Sequence, residues 1–211
     1  MSRRRLVLVR HGETTGNSSI RYYGRTDVAL SEKGRAAIRS VRDAVSRRYD
    51  IGHLAPVFAS PLIRARESAR IIAGDEAAIT IIEEFTEIDF GLFEGLTAEE
   101  IAARYPAEFE HWRGNRFAPD YRYPGGESRS EFRERVTRGV ERMRTLWQSH
   151  VDGESREHSL VVAHRGVIRE VTRQLVNVEP VAELGSVQIL EACGGFWRPM
   201  VIDAIGHLDL P

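Results

Sequence analysis

Short apolar runs, each followed by a segment with helical periodicity, constrain the fold of this chain most. Leu6 to Val9 is such a run, without polar alternation and rich in β-branched residues, which describes a strand buried on both faces. Val57 to Ala59, Ile79 to Ile82 and Ser159 to Ala163 repeat the pattern. Ser31 can cap a helix that carries Ile38, Val41 and Val45 on one stripe and ends near Tyr49. Ser60 and Pro61 read as the N-cap and first helical position of a segment running to Gly74. Strands alternating with helices over short connections imply an α/β fold, a three-layer α/β/α sandwich with a mostly parallel sheet.

The second half extends this layout. Thr97 with Glu100, and Ser128 with Glu131, have the spacing of capping boxes. After the second box, Phe132, Val136, Val140, Met143 and Trp147 recur at helical spacing and form the most regular stripe in the chain. His164, Arg165 and Gly166 follow the fourth strand and lead into a helix bearing Val167, Ile168, Val171 and Leu175. Val187 to Leu190 and Met200 to Ile202 flank Gly194-Gly195, which can turn a hairpin and add one antiparallel strand. Trp112 to Gly126 has no clear period and is expected to pass over one sheet edge. It belongs to an excursion at about 88–127 that partly covers the site. The 211 residues contain no linker composition, so one domain spanning 1–211 is expected.

Composition narrows the partners. Hydrophobic residues at 42% and charged residues at 29% describe an ordinary globular chain, not a disordered one. The formal net charge of -1 leaves no global basic field for nucleic acid or an anionic membrane, so any anion site must be local. Lys33 is the only lysine, and the remaining basic residues are arginines, which suit planar contacts to phosphate and carboxylate. Cys193 is the only cysteine, which excludes an internal disulfide and a cysteine metal cluster and fits a reducing, cytoplasmic setting. The basic start at Ser2-Arg3-Arg4-Arg5 precedes an apolar run too short for a signal segment, and no run approaches the length of a membrane span. A small phosphorylated metabolite is the expected partner, with no nucleic acid or membrane partner and a homodimer as the candidate assembly.

The chemistry concentrates at strand ends. Arg10-His11-Gly12-Glu13-Thr14 follows the first apolar run, where an open α/β sheet places catalytic groups. A histidine there can attack phosphorus while the arginine holds phosphate oxygens as a planar fork. Arg64 falls in the first turn after Pro61, beside the positive end of that helix. His164 ends another apolar strand, and Gly166 behind it permits close approach of backbone N–H groups. Two histidines and two arginines at three strand ends call for an anion to neutralise them, and phosphate fits. Glu87 lies in an apolar stretch that favours the protonated form of a carboxylic acid, the form that donates a proton. Asp89 competes with it on sequence grounds, while Glu13 and Glu94 are weaker candidates beside glycines. His11, His164, Glu13 and Glu87 lack the compact spacing of metal ligands, so neither a metal nor any cofactor is expected.

Together these segments resemble the histidine phosphatase superfamily, which includes cofactor-dependent phosphoglycerate mutases, fructose-2,6-bisphosphatases and α-ribazole phosphatases. Arg10 to Thr14 with Asn17 resembles its signature, and Asp27, Leu30, Ser31 and Gly34 the segment after it. Ser60-Pro61 with Arg64-Ala65 is similar to the second motif and Glu87 to Gly95 to the acid-bearing one. Pro124 to Ser128 and Ala163 to Arg169 are similar to the remaining two. The resemblance implies a phosphoglycerate mutase-like fold and a phosphorylated His11 nucleophile. It also implies that Arg10, Arg64 and His164 bind the phosphoryl group and that Glu87 protonates the leaving oxygen. Asn17, Tyr23, Gly24, Arg165 and Gly166 would contact substrate. Tyr23 stands where glutamine or serine is usual, and Arg165 where glycine or asparagine is usual, which bears on the leaving group accepted.

The expected function is therefore a metal-independent phosphomonoesterase working through phosphohistidine. The nearest alternative is a phosphoglycerate mutase-type transferase, and a further one is a phosphate-binding module without turnover. The mutases it resembles tend to be longer and carry paired arginines, whereas Arg113 and Arg116 are not adjacent here.

Overall fold

The computed structural model describes residues 4–49, 54–149 and 158–205. Ser2 and Arg3 of the basic start lie outside the described residues. In chain order the elements are β1 (Arg5–Arg10), α1 (Glu32–Tyr49), β2 (Leu54–Ala59), α2 (Ile63–Ala73) and β3 (Ile79–Ile81). There follow α3 (Ala98–Arg104), α4 (Pro106–Asn115), α5 (Arg129–Ser149), β4 (His158–Ala163), α6 (Arg165–Val176), β5 (Ser186–Cys193) and β6 (Phe196–Ile205). The strands form one sheet in the order β3-β2-β4-β1-β5-β6. Neighbours from β3 to β1 pair parallel, and β5 runs against both β1 and β6, so it is the one antiparallel strand of a mostly parallel sheet.

Alternation along β1 explains the layers. Leu6 and Leu8 pack with the α5 stripe of Phe132, Val136, Val140, Met143 and Trp147 and with Val167 and Val171 of α6. Val7 and Val9, pointing the other way, pack with Ile38, Val41 and Val45 of α1 and with Ala65, Ala69 and Ile72 of α2. All four β1 residues are fully buried, each contributing roughly 1.5–3 kcal/mol of apolar transfer. Helices thus cover both faces, giving the expected α/β/α sandwich. Gly194 and Gly195 turn the β5–β6 hairpin with φ of 56° and 89°, the left-handed pair that a two-residue turn requires.

Two expectations need correction. The second helix begins at Ile63 with Leu62 as N-cap, so Ser60 and Pro61 precede it. The Ser60 hydroxyl accepts from the Leu62 N–H at 3.3 Å, just ahead of the helix, and Asp27 Oδ1 accepts from the Ile63 N–H at 2.7 Å. Trp112 does not open an irregular stretch but lies inside α4, which starts with Pro106 in the first turn and carries only Trp112 fully inward. An apolar stripe that narrow produces no legible period. Both capping boxes form: Thr97 with Glu100 exchange side-chain and backbone bonds, and Ser128 with Glu131 do the same.

Candidate active site

The register of the sheet brings the strand-end residues together. β4 lies between β2 and β1, with Ala163 opposite Arg10 and Val162 opposite Ala59. His11 and His164 therefore stand one step beyond neighbouring strand ends, their ring centroids 5.2 Å apart and inclined at 61°. Ser60, one step beyond β2, lies 2.7 Å from His164 Nε2 through its hydroxyl. β1 stops at Arg10, yet the His11 N–H still reaches Ala163 O at 3.1 Å, and the side chains of both Arg10 and His11 line one cavity. Adjacent residues on a continuing strand would diverge, and ending the strand here lets both serve one site.

His11 is almost completely buried, and its Nδ1 lies 2.7 Å from Gly12 O. A carbonyl only accepts, so Nδ1 carries the proton and Nε2 is left with a lone pair. Burial first, then the charges of Arg64 and Arg10, hold the imidazole well below its ordinary value, so it is neutral at neutral pH. His164 is depressed in the same way, by burial and then by Arg64.

The guanidiniums are held by backbone carbonyls, not by carboxylates. Arg64, fully buried, donates through Nη1 to Thr26 O at 2.7 Å and through Nη2 to Gly24 O at 2.7 Å and Tyr23 O at 3.2 Å. Arg10 donates through Nη1 to Ala182 O at 2.9 Å. Burial lowers Arg10 to about 10, with Glu87 opposing the shift and Arg165 adding to it. Arg10 Nε, Arg64 Nε and His164 Nδ1 are buried and have no hydrogen-bond partner among the described residues. Buried polar atoms left unpaired are costly, and the two guanidinium Nε groups are donors, so their convergence with His164 near one imidazole describes a place built for an anion's oxygens.

Glu87 enters from the other layer. Its carboxylate accepts from the Ile88 N–H and the Gly166 N–H, each at 3.0 Å, and it lines the same cavity as His11. A Cβ on Gly166 would sit 2.5 Å from Glu87 Oε1, so glycine is what allows this approach. Arg135 of α5 fastens the Glu87 segment by donating to Thr86 O at 2.8 Å and Glu84 O at 2.9 Å while pairing with Glu127 at 2.7 Å. Asp89, the rival candidate, instead accepts from Gly91 N and lies 3.6 Å from Arg25.

The cavity measures about 590 Å³. Tyr23, Arg165 and Gly166 line it. Asn17 is exposed with φ of 59° and is not in the cavity wall. Gly24 is buried and meets Arg64 through its carbonyl, not the cavity. Arg64 and His164 are not in the cavity wall, although His164 lies edge-on to His11 and the charge of Arg64 acts on the His11 imidazole. The 88–127 segment supplies Phe90, Trp112, Arg116 and Tyr123, with Phe90 edge-on to Tyr22 at 5.2 Å and to Tyr123 at 4.9 Å. Arg116, Arg129, Arg133 and Arg169 add cationic groups to the rim.

Sequence reading passed over several residues that shape this site. Ser60 read as a helix cap, whereas it touches His164. Glu94 read only as a weaker acid candidate beside a glycine, yet its carboxylate accepts from the N–H groups of Gly24, Arg25, Thr26 and Phe90, which fixes the loop whose carbonyls hold Arg64. No local pattern signals either role. Among the described residues no group of three or more His, Cys, Asp or Glu side chains could hold a metal ion, and no helix is long and apolar enough to cross a membrane.

The family model described as histidine phosphatase superfamily (branch 1) matches residues 6–198. A 2,3-bisphosphoglycerate-dependent phosphoglycerate mutase 2 of Gloeobacter violaceus is 33% identical over 181 residues, which cover 83% of this chain and 77% of that protein. A phosphoserine phosphatase 1 of Hydrogenobacter thermophilus is 31% identical over 177 residues, again 83% and 77%. The crystal structure of the α-ribazole phosphatase from Shigella flexneri superposes with a TM-score of 0.78 at 23% identity, over 96% of this chain and 97% of that one, which shows a shared fold.

Proposed function

Because this chain belongs to the histidine phosphatase superfamily, we propose that it is a phosphomonoesterase that acts on a small phosphorylated metabolite through a phosphohistidine at His11. The observation that carries the reading is the state of His11: neutral, its Nδ1 proton engaged by Gly12 O, its Nε2 lone pair beside buried donors with no partner among the described residues. A phosphatase relative of 31% identity supports hydrolysis as the outcome.

In the first step His11 Nε2 attacks phosphorus and the bond to the leaving oxygen breaks, while Glu87 serves as the general acid that gives that oxygen its proton. Arg10 and Arg64 neutralise charge on the equatorial oxygens, the main demand of phosphoryl transfer, and the neutral His164 imidazole adds a hydrogen bond. In the second step water attacks the phosphohistidine, its proton returns to the Glu87 carboxylate, and the N–P bond breaks to restore neutral His11. Tyr23, Arg165 and Gly166 face the leaving group, and no step requires a metal.

Phosphoryl transfer between substrates is the second reading, favoured by the mutase relative at 33% identity. Against it, only Arg116 of the two nearby arginines lines the cavity, while Arg113 pairs with Glu110 at 2.9 Å. A panel of sugar phosphates, phosphoglycerates, nucleotides and phosphoserine, assayed with and without a bisphosphate, separates them. Net phosphate release that is independent of bisphosphate and lost in His11→Ala is expected, and transfer without release would establish the mutase instead.

A further inference from the structure

The turn at Val181 and Ala182 holds two arginines of the site. Ala182 O accepts from Arg10 Nη1 at 2.9 Å, and Val181 O accepts from Arg165 Nε at 3.1 Å. The N–H groups of the same two residues converge on one side chain: Asp203 Oδ2 accepts from Val181 at 2.5 Å and Oδ1 from Ala182 at 2.8 Å. A trans peptide points its N–H and C=O in opposite directions. The peptide between Val181 and Ala182 is therefore held by Asp203 on one side and offers its carbonyl to Arg165 on the other. Ala182, fully buried with φ of 56°, then turns the next carbonyl toward Arg10.

The sheet is locally modified to aim Asp203 there. Val187 faces Ala204 and Ile189 faces Val201, so Gln188 alone opposes both Ile202 and Asp203, a bulge in β6. Asp203 itself has φ of 56°, and its N–H bonds the Gln188 side chain at 2.5 Å. Bulges of this kind redirect a side chain next to a functional site. Two non-glycine residues in the left-handed region, one at each end of this contact, are an uncommon backbone arrangement that surrounding structure must hold in place.

We infer that Asp203 is a positioning residue of the active site, setting Arg10 and Arg165 through the two carbonyls of the Val181–Ala182 turn. The inference rests on the phosphatase reading for its catalytic consequence, since Arg10 is the group beside the nucleophile. Asp203 touches no substrate and acts through the arginines.

The test uses Asp203→Asn, which keeps the shape and left-handed tolerance but offers one acceptor oxygen, and Asp203→Gly, which keeps backbone freedom and offers none. Hydrolysis of p-nitrophenyl phosphate and orthovanadate affinity by calorimetry are measured alone and in a background carrying both Arg10→Lys and Arg165→Ala. Both are expected to weaken about tenfold in Asp203→Asn and further in Asp203→Gly, but less than about twofold once both arginines are replaced, as coupled positions require. A role confined to folding gives equal losses in both backgrounds and overturns the inference, as does an unchanged vanadate affinity. Should Asp203→Gly fail to fold, Asp203→Asn decides alone. If the unaltered protein hydrolyses no phosphomonoester, the phosphatase reading fails, while the vanadate cycle still decides whether Asp203 sets the two arginines.

Discussion

His164 Nε2 and the Ser60 hydroxyl lie 2.7 Å apart, both side chains fully buried, at the ends of the adjacent strands β4 and β2. This bond fixes the His164 ring edge-on to His11. Ser60→Ala should therefore lower kcat by about tenfold with KM changed less than about twofold, because a lost buried hydrogen bond costs roughly 1–3 kcal/mol and here disorients a group needed in the transition state. Steady-state kinetics on one phosphomonoester checks it. A change confined to KM would mean that His164 does not need this anchor.

Stability should fall with acidity earlier than carboxylate titration alone would bring. His11 and His164 are both held well below their ordinary 6.5 in the folded protein by burial and the nearby arginines. Below pH 6.5 the unfolded chain binds protons that the folded chain refuses, so stability present above that pH is lost as pH falls toward the folded values. Each histidine contributes a slope of up to about 1.4 kcal/mol per pH unit in this window. Denaturant unfolding between pH 7.5 and pH 5, repeated in a second buffer to exclude buffer-specific effects, should show the decline, and His164→Gln should reduce its slope by about half. A flat profile in the unaltered protein contradicts the account.

Gly166→Ala separates local preference from site geometry. Inside a helix alanine is favoured over glycine by about 1 kcal/mol, so α6 gains from the change. At this position, however, the new Cβ would lie 2.5 Å from Glu87 Oε1 and displace the proton donor. We expect kcat to fall by roughly 100-fold, the lower end of the range attributed to general acid catalysis, with a cooperative melting transition retained. Undiminished kcat would remove Glu87 from its role.

Much of the fold was legible because it rests on patterns that repeat along the chain. The Leu6–Val9 run, the α5 stripe and the Gly194-Gly195 hairpin all form where their periodicity and turn chemistry place them. The helix from Pro106 was not legible, since one inward Trp112 leaves no stripe to count. For the site, Arg10 and His11 meet Glu87 at one cavity; the first two were legible because strand ends in a parallel sheet share an edge, and Glu87 through the motif it belongs to. What escaped was the supporting shell. Glu94 holds the loop that holds Arg64, and Asp203 holds the turn that holds Arg10, through backbone groups that carry no sequence signature. Asn17 shows the converse: its motif position suggested a phosphate contact, and its left-handed turn leaves it outside the cavity wall.

The claim at the centre of this account is that His11 Nε2 takes the phosphoryl group. Rapid-quench peptide mass spectrometry during turnover of a phosphomonoester tests it most directly. We predict an acid-labile, base-stable phosphoryl group on the peptide containing His11, formed no more slowly than phosphate is released and absent from His11→Ala. Phosphate release that continues in His11→Ala, or turnover with no phosphorylated His11 peptide, would contradict it.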